Sequence, residues 1–497
     1  MSPAGRRRGA ALILLVALAL TACAGEEPLA LPAPMSRPSL EPVDDAGTTP
    51  TGTVAVAYPD VPAAWHASSG DDLAATDLAT LWGLPLYRYG PDGVLRPALA
   101  TGATVTGSAD GPWSVQIALR PGSWSDGTAV TAGDVVATID HLRRGPREAE
   151  LAVVEQVEAV DEHTVRLDFE APYHRWPHLL AGGPGVLPAH VLEDQGIEAF
   201  ADTIPVAGGR YRLDAYEPGL SARFVAHSDG PLGAPGVEVV EVLFTPRYET
   251  ALGLLHEGRV DAVAGHIALN PVGRAERLGD GVESAAAVGG TIVGLEWAPH
   301  VDTEIREAVS AVVDVSQLTE GLLGADATVA TSPWPSVGGP WPAQGRSQPA
   351  TRQIGTLRLL LPRWHEVPGF TSRAIQRDLA VLEGSLELVS LETPEFVRTS
   401  RDGADVVLRI RRTGPRPALA GLADVVTSSI RAADASFLRG DEDVSTGFAE
   451  LRSQAALRPL YRPAVAHAWR MQLEGVRPSA WPGVIFWNAG EWQIAGS

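Results

Sequence analysis

Residues Leu95–Leu142 read LRPALATGATVTGSADGPWSVQIALRPGSWSDGTAVTAGDVVATIDHL. Inside this stretch Ser114–Leu119 alternates, with Val115, Ile117 and Leu119 on one face, the pattern of a half-buried strand. Arg120-Pro121-Gly122 and Ser125-Asp126-Gly127 carry turn chemistry: proline presets φ, and glycine reaches backbone conformations closed to other residues. Thr131 followed three residues later by Asp134 forms a capping box, in which hydroxyl and carboxylate satisfy free N–H groups at a helix start. A helix over Gly133–Arg143 follows. The stretch is a strand–turn–helix unit whose Gly and Asp residues serve turns and caps, so no catalytic role is assigned to them.

Outward from it, Thr53–Tyr58 is a short apolar strand, and Asp71–Leu86 has helical spacing at Leu73, Leu78, Leu81 and Trp82. Glu155–Val160 and Thr164–Phe169 form a hairpin across Asp161-Glu162-His163. Glu249–Glu257 is a helix stopped by Gly258, and a strand over Val260–Val263 comes next. Thr303–Val313 puts Ile305, Val309, Val312 and Val313 on one helical face. After the Pro-rich stretch Ser332–Pro349, strand Leu357–Leu361, helix Ser372–Leu382, strand Leu386–Leu391, short helix Thr393–Thr399 and strand Val406–Ile410 alternate. Such alternation predicts an α/β fold with mixed or parallel pairing.

The N-terminus is a different kind of segment. Arg6–Arg8 precede the apolar run Ala10–Leu20, and Leu20-Thr21-Ala22-Cys23 follows. The run is shorter than the ~20 residues needed to span a bilayer, and it reads as a cleaved export signal over residues 1–22. The four residues around the chain's single cysteine resemble the bacterial lipobox. Cys23 is therefore the expected lipidation site, holding the protein at the outer face of the cell membrane. Residues 23–52, rich in Ala, Pro, Gly, Glu and Thr, form a flexible tether.

The elements of Leu95–Leu142 resemble, in order, the signature region of the family 5 extracellular solute-binding proteins, the peptide, dipeptide and nickel binders of ABC importers. Four further stretches match in sequence order: Ile204–Gly219 (IPVAGGRYRLDAYEPG), Tyr248–Ala262, Asp302–Leu318 (DTEIREAVSAVVDVSQL) and Arg458–Arg462 (RPLYR). What the resemblance implies is a two-lobed periplasmic-binding-protein-like fold of the large type II, three-subdomain form, with a hinge between the lobes. One lobe would comprise about 53–290 with 470–497, including an inserted subdomain of about 87–203. The other would comprise 291–469. It also implies a small-molecule or peptide ligand, ABC permease subunits as membrane partners, a monomer, and no enzymatic activity, cofactor or metal. In the family an aspartate near a tryptophan often pairs with a peptide α-amine. Asp405 sits in a comparable stretch, but Arg409, Arg411 and Arg412 follow it instead of Trp. An anionic or hydroxyl-rich ligand is thus as compatible as a peptide, because Arg presents a rigid donor fork to carboxylate or phosphate. Some lipoproteins resembling this family act in envelope glycolipid assembly, which stands as the alternative to import.

The candidate ligand-contacting residues lie on loops after strands or at the crossover: Trp65, Trp297, Arg363, Trp364, His365, Asp405 and Arg409. His174 and His178 have a metal-like spacing, but Pro177 between them opposes the helix it needs. No Gly-x-Ser-x-Gly elbow, His-Glu-x-x-His or P-loop occurs, so a hydrolase has no nucleophile, base or metal set to stand on. The net charge of −21 repels nucleic acid and anionic headgroups and excludes both as partners.

Overall fold

The computed structural model describes residues 49–496, apart from 67–71, 109–110, 145–150, 175, 324–326, 331–352, 364, 393–394, 398–402, 413–456 and 482. The chain enters the body through β1 (Thr53–Tyr58) and α1 (Leu73–Trp82), whose first turn is capped by the Asp72 carboxylate accepting from Ala75 N at 2.9 Å. A short hairpin of β2 (Tyr87–Tyr89) and β3 (Leu95–Pro97) leads into an antiparallel sheet of β4 (Ala100–Gly107), β5 (Trp113–Leu119), β6 (Val154–Asp161) and β7 (Thr164–Phe169). Its order is β4-β5-β7-β6, and α2 (Ala132–Leu142) lies between β5 and β6 in the chain. The expected capping box forms at α2. The Asp134 carboxylate accepts from Thr131 N at 2.8 Å, and also from Ala189 N at 2.7 Å and Trp124 Nε1 at 3.2 Å. Asp134 thus joins the turn, α2 and the start of α3 (Ala189–Gln195), the structural work assigned to the signature stretch.

Most of the rest of the chain builds one large sheet, which β1 also joins. After β8 (Tyr211–Glu217), β9 (Ser221–Ala226) and β10 (Val239–Phe244) come α4 (Tyr248–His256), β11 (Ala262–His266), α5 (Pro271–Ala275), β12 (Val282–Val288) and β13 (Thr291–Trp297). Then follow α6 (Thr303–Val312), β14 (Ala327–Val329), β15 (Thr356–Pro362), α7 (Glu366–Leu379), β16 (Ser385–Leu391), β17 (Val406–Arg412) and β18 (Leu457–Arg470). The strand order is β16-β15-β17-β13-β18-β11-β1-β10-β9-β8, with β12 and β14 also paired to β18. β1 runs parallel to β10 and β11, and β15 parallel to β16 and β17, as the βαβ alternation predicts.

The long strand β18 holds the two halves together. Leu457–Tyr461 pairs with β13, and Ala464–Arg470 pairs with β12. The second link is the turn from β12 to β13 at Gly289-Gly290. Only glycine fits there, because a Cβ on Gly290 would lie 2.1 Å from the Ala480 carbonyl oxygen. Arg462 Nη1 donates to the Gly289 carbonyl at 2.8 Å and so ties the two links to each other.

Several boundaries differ from those read off the sequence: the first helix is shorter, Leu73–Trp82 instead of Asp71–Leu86, and β17 runs on to Arg412. α7 begins at Glu366 instead of Ser372, because Pro368 falls in the first helical turn, where a missing N–H costs no intrahelical bond. The strand after α4 runs to His266 rather than ending at Val263. In the expected helix 393–399, residues 395–397 are helical and the remainder lies outside the described residues, as do Ser332–Pro349 and the export signal with Cys23.

Candidate ligand-binding cleft

Where the two halves meet, the C-terminal end of β17 faces α1 and β1. Arg412 is paired across the ladder with Thr291, and its Nε donates to Thr291 Oγ1 at 3.2 Å. Its guanidinium forms an ion pair with Asp77 of α1, and both side chains are 0% exposed. Asp77 is further held by the Tyr58 hydroxyl, donating at 2.7 Å, and by Gly483 N, donating at 2.8 Å. Burial pushes the Arg412 pKa down, while the nearby Asp60 carboxylate works the other way. Burial likewise raises that of the Tyr58 phenol, which stays protonated as a donor. A buried ion pair rarely adds stability over an apolar pair, since desolvation cancels the attraction. This one joins elements of the two halves, so its consequence is positional.

Three histidines line the same junction. His467 on β18 is 1% exposed, and neither ring nitrogen makes a hydrogen bond among the described residues. Each such unmet polar atom costs about 1–3 kcal/mol. Burial drives the His467 pKa to about 3, and the Arg412 guanidinium adds to the effect. His266 at the end of β11 places Nε2 2.8 Å from the Thr245 carbonyl and Nδ1 3.1 Å from the Ala264 carbonyl. Two acceptor contacts favour a protonated ring, yet burial outweighs them and holds the pKa at about 4. His365, just before α7, accepts from Ile267 N at 3.4 Å across the junction. Burial lowers its pKa to about 3, with His266 the second cause. Beside it, Arg274 of α5 bridges Glu366 at 3.0 Å and Glu249 at 2.7 Å.

Of the residues singled out from the sequence, the structure brings His365 to this junction. Trp65 lies in the apolar core, edge-on to Tyr216 at 5.1 Å and Phe224 at 5.9 Å. Trp297 ends β13 opposite Val406, at the far end of the ladder from Thr291 and Arg412. Arg363 is 61% exposed and pairs with Glu392 at 3.0 Å. Asp405 accepts from Arg358 N at 2.7 Å and contacts His300 Nε2 at 2.9 Å. Arg409 is buried, and its Nε donates to Glu296 at 3.2 Å, a carboxylate shared with Arg411 at 2.9 Å. Being an odd number of residues from Arg412, Arg409 projects from the opposite face of β17. Trp364 and Cys23 lie outside the described residues. His174 packs edge-on to Trp113, and His178 Nδ1 contacts the Tyr89 hydroxyl at 2.6 Å. No group of three His, Cys, Asp or Glu suited to a metal ion occurs among the described residues.

Sequence reasoning did not single out Tyr58, Asp77, His266 or His467, which come from four separate elements. Arg412 carried a signal, the run of arginines after Asp405, but nothing in that run distinguishes its members until the pairing register is known.

Residues 94–354 match the family model described as bacterial extracellular solute-binding proteins, family 5 middle. The chain is 25% identical over 249 residues to the peptidoglycan-binding protein YepA of Agrobacterium fabrum, covering 44% of this chain and 40% of that protein. It is 24% identical over 361 residues to the probable monoacyl phosphatidylinositol tetramannoside-binding protein LpqW of Mycobacterium tuberculosis, covering 68% of this chain and 54% of that one. The chain thus spans about half the length of these curated relatives. Among solved structures, the oligopeptide-binding protein AppA of Bacillus subtilis, in complex with a nonapeptide, superposes with a TM-score of 0.74. It is 15% identical, and the superposition covers 90% of this chain and all of AppA, a likeness of fold. The expected two-lobed α/β architecture is thereby met.

Proposed function

Because this chain belongs to the family 5 bacterial extracellular solute-binding proteins, we propose that it captures a small peptide-like solute between its lobes and delivers it to an ABC-type permease. The observation that carries this reading is the junction itself. Buried polar groups from α1, β1, β11, β17 and β18 converge there, and His467 keeps hydrogen-bonding capacity that the protein does not use. A solute enclosed by lobe closure meets such groups away from water, where each hydrogen bond discriminates most. Hinge motion between the lobes would open and close the site. The first crossing lies at Gly289-Gly290, between lobe 1 (53–290) and lobe 2 (291–469), with 470–497 returning to lobe 1 and 87–203 inserted in it. The second crossing lies within β18 near Arg462-Pro463, earlier in the chain than position 470, because Ala464–Arg470 already pairs with β12. The protein works as a monomer, with Cys23 acylated after removal of residues 1–22, so it stays at the outer face of the membrane beside its permease. Its role is binding and release, not catalysis.

A second reading draws on one observation, the similarity to the Mycobacterium tuberculosis protein named for binding an acylated phosphatidylinositol mannoside. In it the same fold serves envelope glycolipid assembly without transport. Mass spectrometry of the solute released by denaturing the full chain, purified from a related host, separates the two. A discrete peptide-like mass is expected. A glycolipid mass overturns import in favour of the envelope role. A protein that carries nothing and retains no member of an added peptide pool sinks peptide capture.

A further inference from the structure

We infer that Arg274 and Glu366 form a latch between the lobes, a charged contact that favours the closed cleft whether or not a solute is inside. The latch presupposes the two-lobed, hinged reading above and adds to it a fixed bias on the hinge.

Arg274 belongs to α5, before the Gly289-Gly290 crossing, and Glu366 is the first residue of α7, after it. The guanidinium meets the carboxylate with two bonds side by side: Nη1 donates to Oε2 at 3.0 Å and Nη2 to Oε1 at 3.2 Å. Paired bonds of this kind fix direction as well as charge, and each is about twice as strong as a neutral one. Both partners are seated in their own half. Arg274 Nη2 also donates to Glu249 of α4 at 2.7 Å, and its guanidinium lies over the Tyr248 ring, 5.0 Å from the centre. The Tyr248 hydroxyl in turn donates to the Pro271 carbonyl at 3.0 Å, so α4 and α5 carry the arginine together. Glu366 is rooted through α7, whose Val367, Ile375 and Leu379 are buried in the core. Next to the pair, Ile267 N donates to His365 Nδ1 at 3.4 Å, a further bond across the same seam.

Exposure and position separate this contact from Arg412–Asp77. Arg412 and Asp77 are both 0% exposed, and Arg412 is bonded to Thr291, the residue after the Gly289-Gly290 crossing. That pair sits beside the pivot, where rotation moves atoms least. Arg274 and Glu366 are 15% and 28% exposed, and they join two helices that contain neither crossing. Rotation about the crossings parts them, and parting them returns both charges to water, so the contact can break and reform. Water-accessible charges are screened as salt rises, the Debye length falling from about 10 Å at 0.1 M to about 3 Å at 1 M, whereas buried pairs are screened much less. The latch is therefore the salt-sensitive part of the closed state.

Small-angle X-ray scattering of the full chain tests this. Each protein is unfolded and refolded to strip bound solute and measured from about 0.05 to about 1 M NaCl. The wild type is compared with Glu366→Gln, Glu366→Arg and Glu249→Gln. The wild-type radius of gyration should grow with salt. Glu366→Gln keeps the size of the side chain and loses its charge. Its ratio of open to closed molecules at low salt should stand about five-fold above the wild type's, the scale of one part-exposed pair, and should hardly change with salt. Glu366→Arg sets two guanidiniums together and should open the chain further. Glu249→Gln takes a carboxylate from the same arginine within one lobe, so it should move the ratio less than about two-fold. Equal salt profiles for the wild type and Glu366→Gln overturn the latch. A glutamate that only supports the start of α7 would lower the urea midpoint in Glu366→Gln and leave the radius of gyration unmoved, which also overturns it. A radius that stays fixed in every chain, Glu366→Arg included, overturns the hinge reading and the latch with it. No solute enters the comparison, so a failure of peptide capture leaves its outcome intact.

Discussion

The two ends of β17 carry charged residues in opposite circumstances. At the N-terminal end Asp405 is part-exposed, and its carboxylate is met by Arg358 N and His300. At the C-terminal end Arg412 is sealed from solvent, ion-paired with Asp77 of α1 and hydrogen-bonded through Nε to Thr291. One strand thus has a part-exposed surface contact at one end and a fully buried ion pair at the other. The difference shows that charges on one strand take different roles according to what the pairing of the strands buries. Asp405 resembles the family's amine-binding aspartate in sequence, while Arg412 occupies the junction.

Mutating the buried end should cost most. Asp77→Ala leaves the guanidinium without its counter-charge, and loss of one partner from a buried pair is worth about 3–5 kcal/mol. Urea unfolding should show this as a large fall in midpoint at unchanged slope. A loss under about 1 kcal/mol would mean that water reaches Arg412 and that the two ends of β17 do not differ as described.

The buried histidines provide a second contrast, read through pH. In the folded chain His266, His365 and His467 stay neutral down to about 4, 3 and 3. In the unfolded chain each takes a proton near pH ~6.5, so below that pH the unfolded state binds more protons. Their contribution is therefore complete above pH ~6.5, shrinks as pH falls through it, and levels off near the folded values. From about pH 7.5 to about pH 5.5 each is worth about 1.4 kcal/mol, for a loss of roughly 4 kcal/mol at most from the three. Unfolding free energies at the two pH values check this; a flat profile would place the imidazoles in contact with solvent.

The exposed end should respond least. Asp405→Ala removes an acceptor from Arg358 N and a contact with His300, at a cost of about 0.5–1.5 kcal/mol, with solute retention unchanged. Loss of retention in this variant would move the binding role to the end of β17 that carries the resemblance.

Much of the fold was legible in the residues because it depends on local chemistry. The strand over β5, the Thr131–Asp134 box, α2, the β6–β7 hairpin and the βαβ alternation around α7 all follow from period and capping. Boundaries were less legible, as at α7, which was expected to start at Ser372 but starts at Glu366 with Pro368 in its first turn. The cleft was largely hidden. His365 was visible as a residue following a strand, but Tyr58 and Asp77 read as ordinary members of a strand and a helix until they met at 2.7 Å.

By itself the sequence determined the order of elements, the α/β class and the family, since periodicity, caps and ordered motifs are properties of neighbours along the chain. The tertiary structure decided which of the arginines in β17 lies where the two halves meet. Side chains alternate across a strand, and pairing with β13 turns Arg409 and Arg411 toward Glu296 and Arg412 toward Thr291 and Asp77. It also decided that His467, His266 and His365 share one buried place. Contacts between distant segments are set by the pairing of β18 with both halves of the sheet, and no local pattern encodes that pairing.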